Sequence, residues 1–395
     1  MLVPVYGQSL AIGGDASPAV TSYGNLRHRE YVITSENLTT QTDGAETSKF
    51  GLCESFLDEY CRRHLLSVVD LRTNIASFAS GTGSTSINGL KKGTANYTTL
   101  INKITTAFNL AKNMGKRLTI PAFCWIQGEE DRRDSSIDYK ALLSQLRVDL
   151  SNDIKAITGQ ISDVHCIVYQ TNQIALPMGA PDFDPLSFND IAKTRMVPAQ
   201  AQYELIRDNP YFHASSPIYP MKFVVSSNGQ MIHITAASQK LLGYYEGIAV
   251  NNILDAATNG KSTGLIISSV TKVDTTHLRV YFKIPVPPLV IDTDLVKEVS
   301  NYGFTVINSS NENIISSVEL VNNSVWDAYV EITTIKDCSG AKLRYGVIGE
   351  NGKSGWELGP RGNLRDSQGY DRKAYINGSQ FPLHNWCYMC ELLIK

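Results

Sequence analysis

Up to about residue 255 the chain alternates short apolar runs with longer amphipathic segments, and after about residue 260 the alternation stops. This change of texture limits the fold more than any other feature. Leu2–Tyr6, Leu71–Ala79, Arg117–Ile126, Val164–Gln170 and Ile218–Val225 read as strands. Between them, Phe50, Cys53, Phe56, Leu57, Tyr60 and Cys61 recur at three- and four-residue spacing, the period of one helix face. That places a helix over Phe50–Leu66. Tyr97–Met114, Ile137–Ile157, Val197–Arg207 and Ala236–Ile253 read as further helices, the first of them stopped by Gly115. Strands joined through helices pair in parallel, because each crossover returns the chain to the same end of the sheet. The expectation is a three-layer α/β/α sandwich around a parallel sheet.

From Gly264 onward the chain carries short β-branched runs instead: Leu265–Val270, Leu278–Ile284, Ile314–Val321, Trp326–Ile332 and Lys342–Val347. Turn residues separate them and no helical period persists. This predicts an antiparallel β-domain, a sandwich, with Gly352–Asn377 as a long loop. A chain of 395 residues is too long for one core. The expected division is an α/β domain over residues 1–258 and a β-sandwich accessory domain over 259–395.

Charge and composition exclude several roles. A formal net charge of −2 makes no electrostatic case for nucleic acid or an anionic membrane. No run of 18 apolar residues exists, so nothing in the sequence spans a bilayer. No signal peptide is visible, and the localisation is left open. Seven scattered cysteines are too few and odd in number for a disulfide framework. Cys387 and Cys390 have CxxC spacing but no second pair or histidine cluster, so they read as part of a C-terminal strand. Neither a metal nor a cofactor is called for.

In a parallel α/β sheet, ligands bind beyond the carboxyl ends of the strands. Three polar motifs follow predicted strands, and a fourth lies late in the same part of the chain. Gly7-Gln8-Ser9 follows the first strand; alone, it is as readily a strand-ending turn as a nucleophile. The loop Gly81–Ile87 offers backbone amides to an anion, or is only a flexible turn. Trp125–Asp131, WIQGEED, places an amide and three carboxylates after an apolar strand, or is a solvated acidic loop. His233, in MIHIT, precedes a helix that Thr235 can cap, and a lone histidine between isoleucines is more often structural. Together the four occur in an order that none of the bland readings explains.

That order resembles the SGNH (GDSL-like) hydrolases, within them the carbohydrate O-acetylesterase branch that includes sialate O-acetylesterases and carbohydrate esterase family six. GQSL looks like its nucleophile block. GSTSI (Gly83–Ile87) is similar to its second block, WIQGEED to its third, and MIHITAASQKLLG to its final histidine block. The likeness covers about residues 1–255. The segments LRYGVIGENG, GPRGNLRDS and PLHNWC also resemble a β-domain appended to esterases of bacteriophages and prophages.

The resemblance implies a flavodoxin-like SGNH fold and a serine esterase acting on acetylated glycan. Ser9 is then the nucleophile and His233 its base, with an oxyanion hole from the Ser9 amide, an amide at Gly83 and the side chain of Gln127. The family has an acid three residues before the histidine, and here that position is Gln230. Either Glu129 is the third member or the protein works as a Ser–His dyad; Glu129 is favoured. Two readings compete with this one. A non-catalytic glycan-binding or virion structural protein draws its support from Gln230. A lipase or thioesterase needs an acyl groove that nothing in the sequence demands. Arg361, Arg365 and Arg372 could hold a substrate carboxylate, although solvated arginines paired with Asp366 and Asp371 are the better reading. A homo-oligomer or a phage tail assembly is left open.

Overall fold

The computed structural model describes residues 1–21, 30–33, 38–39, 45–66, 74–134, 136–173, 195–227, 229–255, 260–324, 327–350 and 353–395. Five parallel strands form the central sheet: β1 (Val5–Gly7), β2 (Ala79–Gly81), β3 (Ala122–Ile126), β4 (His165–Gln170) and β5 (Phe212–Pro217), in the order β2-β1-β3-β4-β5. This is the flavodoxin-like order, with a switch point between β1 and β3 where the connections diverge and a crevice opens.

Strand β3 shows why these residues fold this way. Ala122, Cys124 and Ile126 join one apolar cluster, while Phe123 and Trp125 join another. A strand covered on both faces must be apolar throughout, which is what AFCWI is. On one face lie α1 (Ser48–His64) and, from the far end of this part of the chain, Ala236–Leu254. The other face carries α2 (Ala95–Asn113), α3 (Tyr139–Thr158) and α4 (Val197–Asp208), making Ala236–Leu254 the fifth helix, α5.

Helices α1 and α5 touch backbone to backbone. A Cβ at Gly243 would lie 2.0 Å from the Ser48 carbonyl oxygen, and one at Gly51 would lie 2.0 Å from that of Lys240. One turn along α5 from Gly243, Glu246 is sealed between the helices and the sheet at 1% exposure. Burial pushes its carboxyl up to about 8, against hydrogen bonds with Ser48 and Cys124.

Beyond α5 come β6 (Ile266–Lys272), β7 (His277–Lys283), β8 (Phe304–Ile307), β9 (Ile315–Asn322), β10 (Ala328–Thr334), β11 (Lys342–Tyr345) and β12 (Cys390–Leu393). They form an antiparallel four-stranded sheet, β9-β10-β7-β6, and an antiparallel three-stranded sheet, β8-β11-β12. Their core is not separate. Ile266, Leu278 and Val330 belong to the same buried cluster as Phe212 of β5 and Leu205 of α4. Two glutamines, Gln170 buried and Gln200 half-buried, bind the C-terminal backbone in pairs of hydrogen bonds. Gln170 donates to the Met389 carbonyl at 2.8 Å and accepts from its N–H at 2.7 Å; Gln200 does the same with Glu391 at 3.0 and 2.7 Å. The expected boundary between 258 and 259 lies at residues outside those described.

Three expectations need correction. Ile218–Val225 is not a strand of the sheet; Phe212–Pro217 is, and its His213, Ser215 and Ser216 disguised it. Gly352–Asn377 is no plain loop, since Leu364–Arg365 and Lys373–Ile376 are short strands within it. Nor are its arginines solvated. Arg361 caps the carbonyls of Lys297, Gly359 and Glu298, Arg365 pairs with Asp292 at 2.5 Å, and Arg372 reaches Glu59 at 2.9 Å. They hold the chain together.

Two stability predictions follow from the α1–α5 contact. Gly243→Ala should destabilise the fold by about 1–3 kcal/mol through forced separation of the helices, seen as a lower thermal midpoint. The carboxyl of Glu246 titrates higher in the folded chain than in the unfolded one. The folded state therefore holds the extra proton, and stability is lost as pH rises from the ordinary glutamate range through about 8. Glu246→Gln should flatten that loss in urea unfolding measured across this window; an unchanged slope would count against the assignment.

Candidate active site

The ends of β1, β2 and β3 are neighbours. Gly7 pairs with Gly81 on one side and Ile126 on the other. The residues that follow each strand, Ser9, Gly83 and Gln127, therefore emerge together at the switch point. Close approach is built in, because a Cβ at Gly7 would lie 1.8 Å from the Ile126 carbonyl oxygen.

After Ser9 the chain winds through successive turns. The Ser9 carbonyl accepts from the N–H of Ile12 at 3.3 Å and of Gly14 at 2.8 Å, and the Ala16 N–H bonds the Gly13 carbonyl at 3.1 Å. The winding ends at Asp15, which takes a left-handed backbone at φ 56. Aspartate is among the few side chains that tolerate this conformation. Gln239 of α5 pins the loop by donating to the Leu10 carbonyl at 2.9 Å.

His233 arrives from the other end of the α/β part on a short antiparallel return. The Val224 N–H bonds the His233 carbonyl at 2.8 Å, and the Thr235 N–H bonds the Lys222 carbonyl at 2.9 Å. Thr235 caps α5 as expected, its hydroxyl accepting from the Ser238 N–H at 3.3 Å. The imidazole sits between two partners. Its Nε2 is 2.8 Å from Ser9 Oγ, and its Nδ1 is 2.6 Å from Asp15 Oδ2. A carboxylate only accepts, so Nδ1 carries the proton and Nε2 is left to accept from the Ser9 hydroxyl. Such an imidazole can take the serine proton and can return a proton to a leaving group. Gly14 leaves room for the ring, since a Cβ there would lie 3.1 Å from Nε2.

Asp15 is the residue the motifs missed. It stands six positions after Ser9 in GGDAS, and the one available signal was an acid among turn residues directly behind the serine. Glu129, the expected third member, is elsewhere. It is 2% exposed, and its Oε1 accepts from the Tyr169 hydroxyl and, at 2.7 Å, from Thr171 Oγ1. Burial raises its pKa against those two donors, and His233 affects it only as a nearby charge. The Nδ1 place is filled by Asp15.

Gln127 also differs from expectation. Its Nε2 donates to the Thr85 carbonyl at 3.2 Å and to Asp131 Oδ2 at 2.6 Å, while its Oε1 accepts from the Tyr139 hydroxyl at 2.7 Å. Both amide hydrogens are committed, so neither is left for an oxyanion. Instead Gln127 and Asp131 hold the Gly81–Ile87 loop in place, with Asp131 Oδ2 also accepting from the Ile87 N–H at 2.8 Å. Burial pushes the Asp131 carboxyl up and these donors hold it down. Gly83 does come to the serine: a Cβ on it would lie 3.7 Å from Ser9 Cβ. Among the described residues, the backbone N–H groups of Ser9 and Gly83 have no acceptor.

Asp131→Ala should strand the Ile87 N–H and the Gln127 amide and cost about 2–3 kcal/mol. Hydrogen exchange at Ile87 should then accelerate while exchange in α5 keeps its rank; equal protection at Ile87 would refute the tether.

A family model described as carbohydrate esterase, sialic acid-specific acetylesterase, matches residues 15–245, more than half of the chain. The match takes in Asp15, Gly83, Gln127, Glu129 and His233, and begins just after Ser9. No curated protein matches the chain. Among solved structures, a carbohydrate acetylesterase from Xanthomonas citri is 12% identical, aligns over 99% of this chain and 80% of its own, and superposes with a TM-score of 0.56. A protein from Arabidopsis thaliana is 16% identical over 63% of this chain and 96% of its own, with a TM-score of 0.41. The first of these shows a shared fold that extends through the C-terminal sheets. On the family match, the chain belongs to the carbohydrate esterase, sialic acid-specific acetylesterase family, and is an esterase.

Proposed function

We propose that the protein is a serine O-acetylesterase that removes acetyl groups from the hydroxyls of carbohydrate, sialic acid or another acetylated glycan. The observation that carries this is the relay Ser9–His233–Asp15, with spacings of 2.8 and 2.6 Å. Ser9 Oγ attacks the acetyl carbonyl carbon as its proton passes to His233 Nε2. The carbonyl oxygen becomes an oxyanion, received by the N–H groups of Ser9 and Gly83. His233 then protonates the departing sugar oxygen, leaving acetyl-Ser9. A water molecule, deprotonated by His233, attacks that ester and releases acetate. Asp15 holds the imidazole in the required tautomer and offsets its charge when it is protonated.

Gln127 and Asp131 position the Gly81–Ile87 loop, and with it the Gly83 amide. Glu129 is a buried neighbour of the relay and takes no proton from Nδ1. A non-catalytic reading drew its weight from Gln230, and Asp15 supplies the carboxylate whose absence there was the reason for it.

Aryl acetate hydrolysis and acetate release from a panel of acetylated glycans test the assignment. Ser9→Ala should lose about 10⁴-fold or more in kcat, and Asp15→Asn a comparable factor, while Glu129→Gln should lose less than about tenfold. Should Glu129→Gln fall as far as Asp15→Asn, the role given to Asp15 is wrong. Full activity in Ser9→Ala would end the serine mechanism.

A further inference from the structure

Both partners of His233, Ser9 and Asp15, belong to one loop. The loop is anchored at its two ends. At the start, the Gln8 N–H bonds the Ile126 carbonyl at 3.0 Å; at the finish, the Ala16 carbonyl accepts from the Glu46 N–H at 3.0 Å. In between, the carbonyls of Gln8, Ser9, Leu10 and Gly13 accept from N–H groups of the loop itself. Internal bonds of this kind fix the shape of a loop. They do not fix its position against a neighbouring helix.

Gln239 supplies a hold from outside. Its Nε2 donates to the Leu10 carbonyl at 2.9 Å, one residue beyond the serine. The other partner of that carbonyl is the Gly13 N–H at 3.4 Å, long for such a bond. Gln239 lies in the first turn of α5 and is placed by the same residue that follows the histidine block. Its own N–H bonds the Thr235 carbonyl at 2.8 Å, and the Thr235 N–H bonds Lys222 in the return that carries His233. One turn further along, the close approach of Gly243 to the Ser48 carbonyl keeps α5 from sliding on α1. The amide is also costly where it stands. Gln239 is fully buried, and its Oε1 has no hydrogen-bond partner among the described residues. An unmet buried acceptor lowers stability. Packing alone favours an apolar side chain at this position, and what the amide adds is its donor to the loop.

We infer that Gln239 is a positioning residue for the esterase reaction: its bond to the Leu10 carbonyl holds Ser9 and Asp15 together against His233. The inference rests on the serine mechanism given above. A loop free to tilt lengthens the Ser9–Nε2 and Asp15–Nδ1 contacts at once. Formation and hydrolysis of acetyl-Ser9 both pass through His233, so both steps slow together. When both slow alike, kcat falls and KM stays.

Gln239→Met keeps the length of the side chain and removes both the donor and the unmet oxygen. In aryl acetate hydrolysis its kcat should fall at least about tenfold, with KM within about threefold of the wild type. Its thermal midpoint should stay within about 3 °C, because the lost bond and the removed orphan offset each other. Asn251→Ala is the structural comparison. Asn251 lies roughly 18 Å further along the helix and donates to the carbonyls of Phe56 and Gly247, both at 3.0 Å. That variant should lose thermal stability and keep its kcat. The downfield imidazole N–H proton resonance that is absent from His233→Gln should shift in Gln239→Met and stay in place in Asn251→Ala. If Gln239→Met does not fold, Gln239→Asn carries the same test, its amide one methylene short of Leu10. Ser9→Ala is measured beside them. Wild-type kcat in Gln239→Met with an inert Ser9→Ala overturns this inference alone. Full activity in Ser9→Ala overturns it together with the mechanism. An equal fall of kcat in Asn251→Ala, or a raised KM at unchanged kcat in Gln239→Met, makes the role of Gln239 structural and overturns it as well.

Discussion

The imidazole of His233 is the joint on which this structure turns. It bridges Ser9 and Asp15 near the amino terminus from a position more than two hundred residues further on. An imidazole relay works only within hydrogen-bonding distance, so whatever holds the two segments together serves the site. Gln239, one turn and a half beyond His233, grips the loop at Leu10. The close contact of α1 with α5 sets the height of the helix from which that grip is made. On the outer side, Lys353 donates to the Gly229 carbonyl at 2.6 Å, so the C-terminal part of the chain also braces the return that carries His233.

Beneath the serine lies a buried polar network in place of a second catalytic acid. Gln127, Asp131 and Tyr139 satisfy one another and the Gly81–Ile87 loop, and Gln202 donates to the Gln127 carbonyl at 2.8 Å. In a medium of low dielectric such a network is rigid when complete and costly when broken. The WIQGEED block therefore reads best as scaffolding: Gln127 and Asp131 hold the loop that brings Gly83 beside Ser9. Glu129 continues the network toward β4 through Tyr169 and Thr171.

Much of this was legible in the residues. The run AFCWI announced a strand buried on both faces, and the amphipathic periods of α1 to α5 lie within two or three residues of their observed ends. Ser9 and His233 stood out because each follows or precedes a regular element at the site-bearing edge. What was not legible had local causes. β5 has a polar composition, because its serines and His213 find partners or cavities at the edge of the sheet and not an apolar face. The arginines between 361 and 372 looked solvated because their partners, Asp292, Glu59 and several carbonyls, are remote in sequence.

The sequence alone determined the elements, their alternation, and the strand ends at which polar residues could gather, since periodicity and strand-breaking glycines act over a few residues. Only the tertiary structure decided which carboxylate meets His233. Asp15 and Glu129 both lay within the motifs or next to them, and nothing local ranks them. The choice rests on how the loop after Ser9 coils, with Asp15 left-handed at its end, and on where α5 sets the imidazole. Both are properties of packed segments that the chain brings together from the two ends of its α/β part.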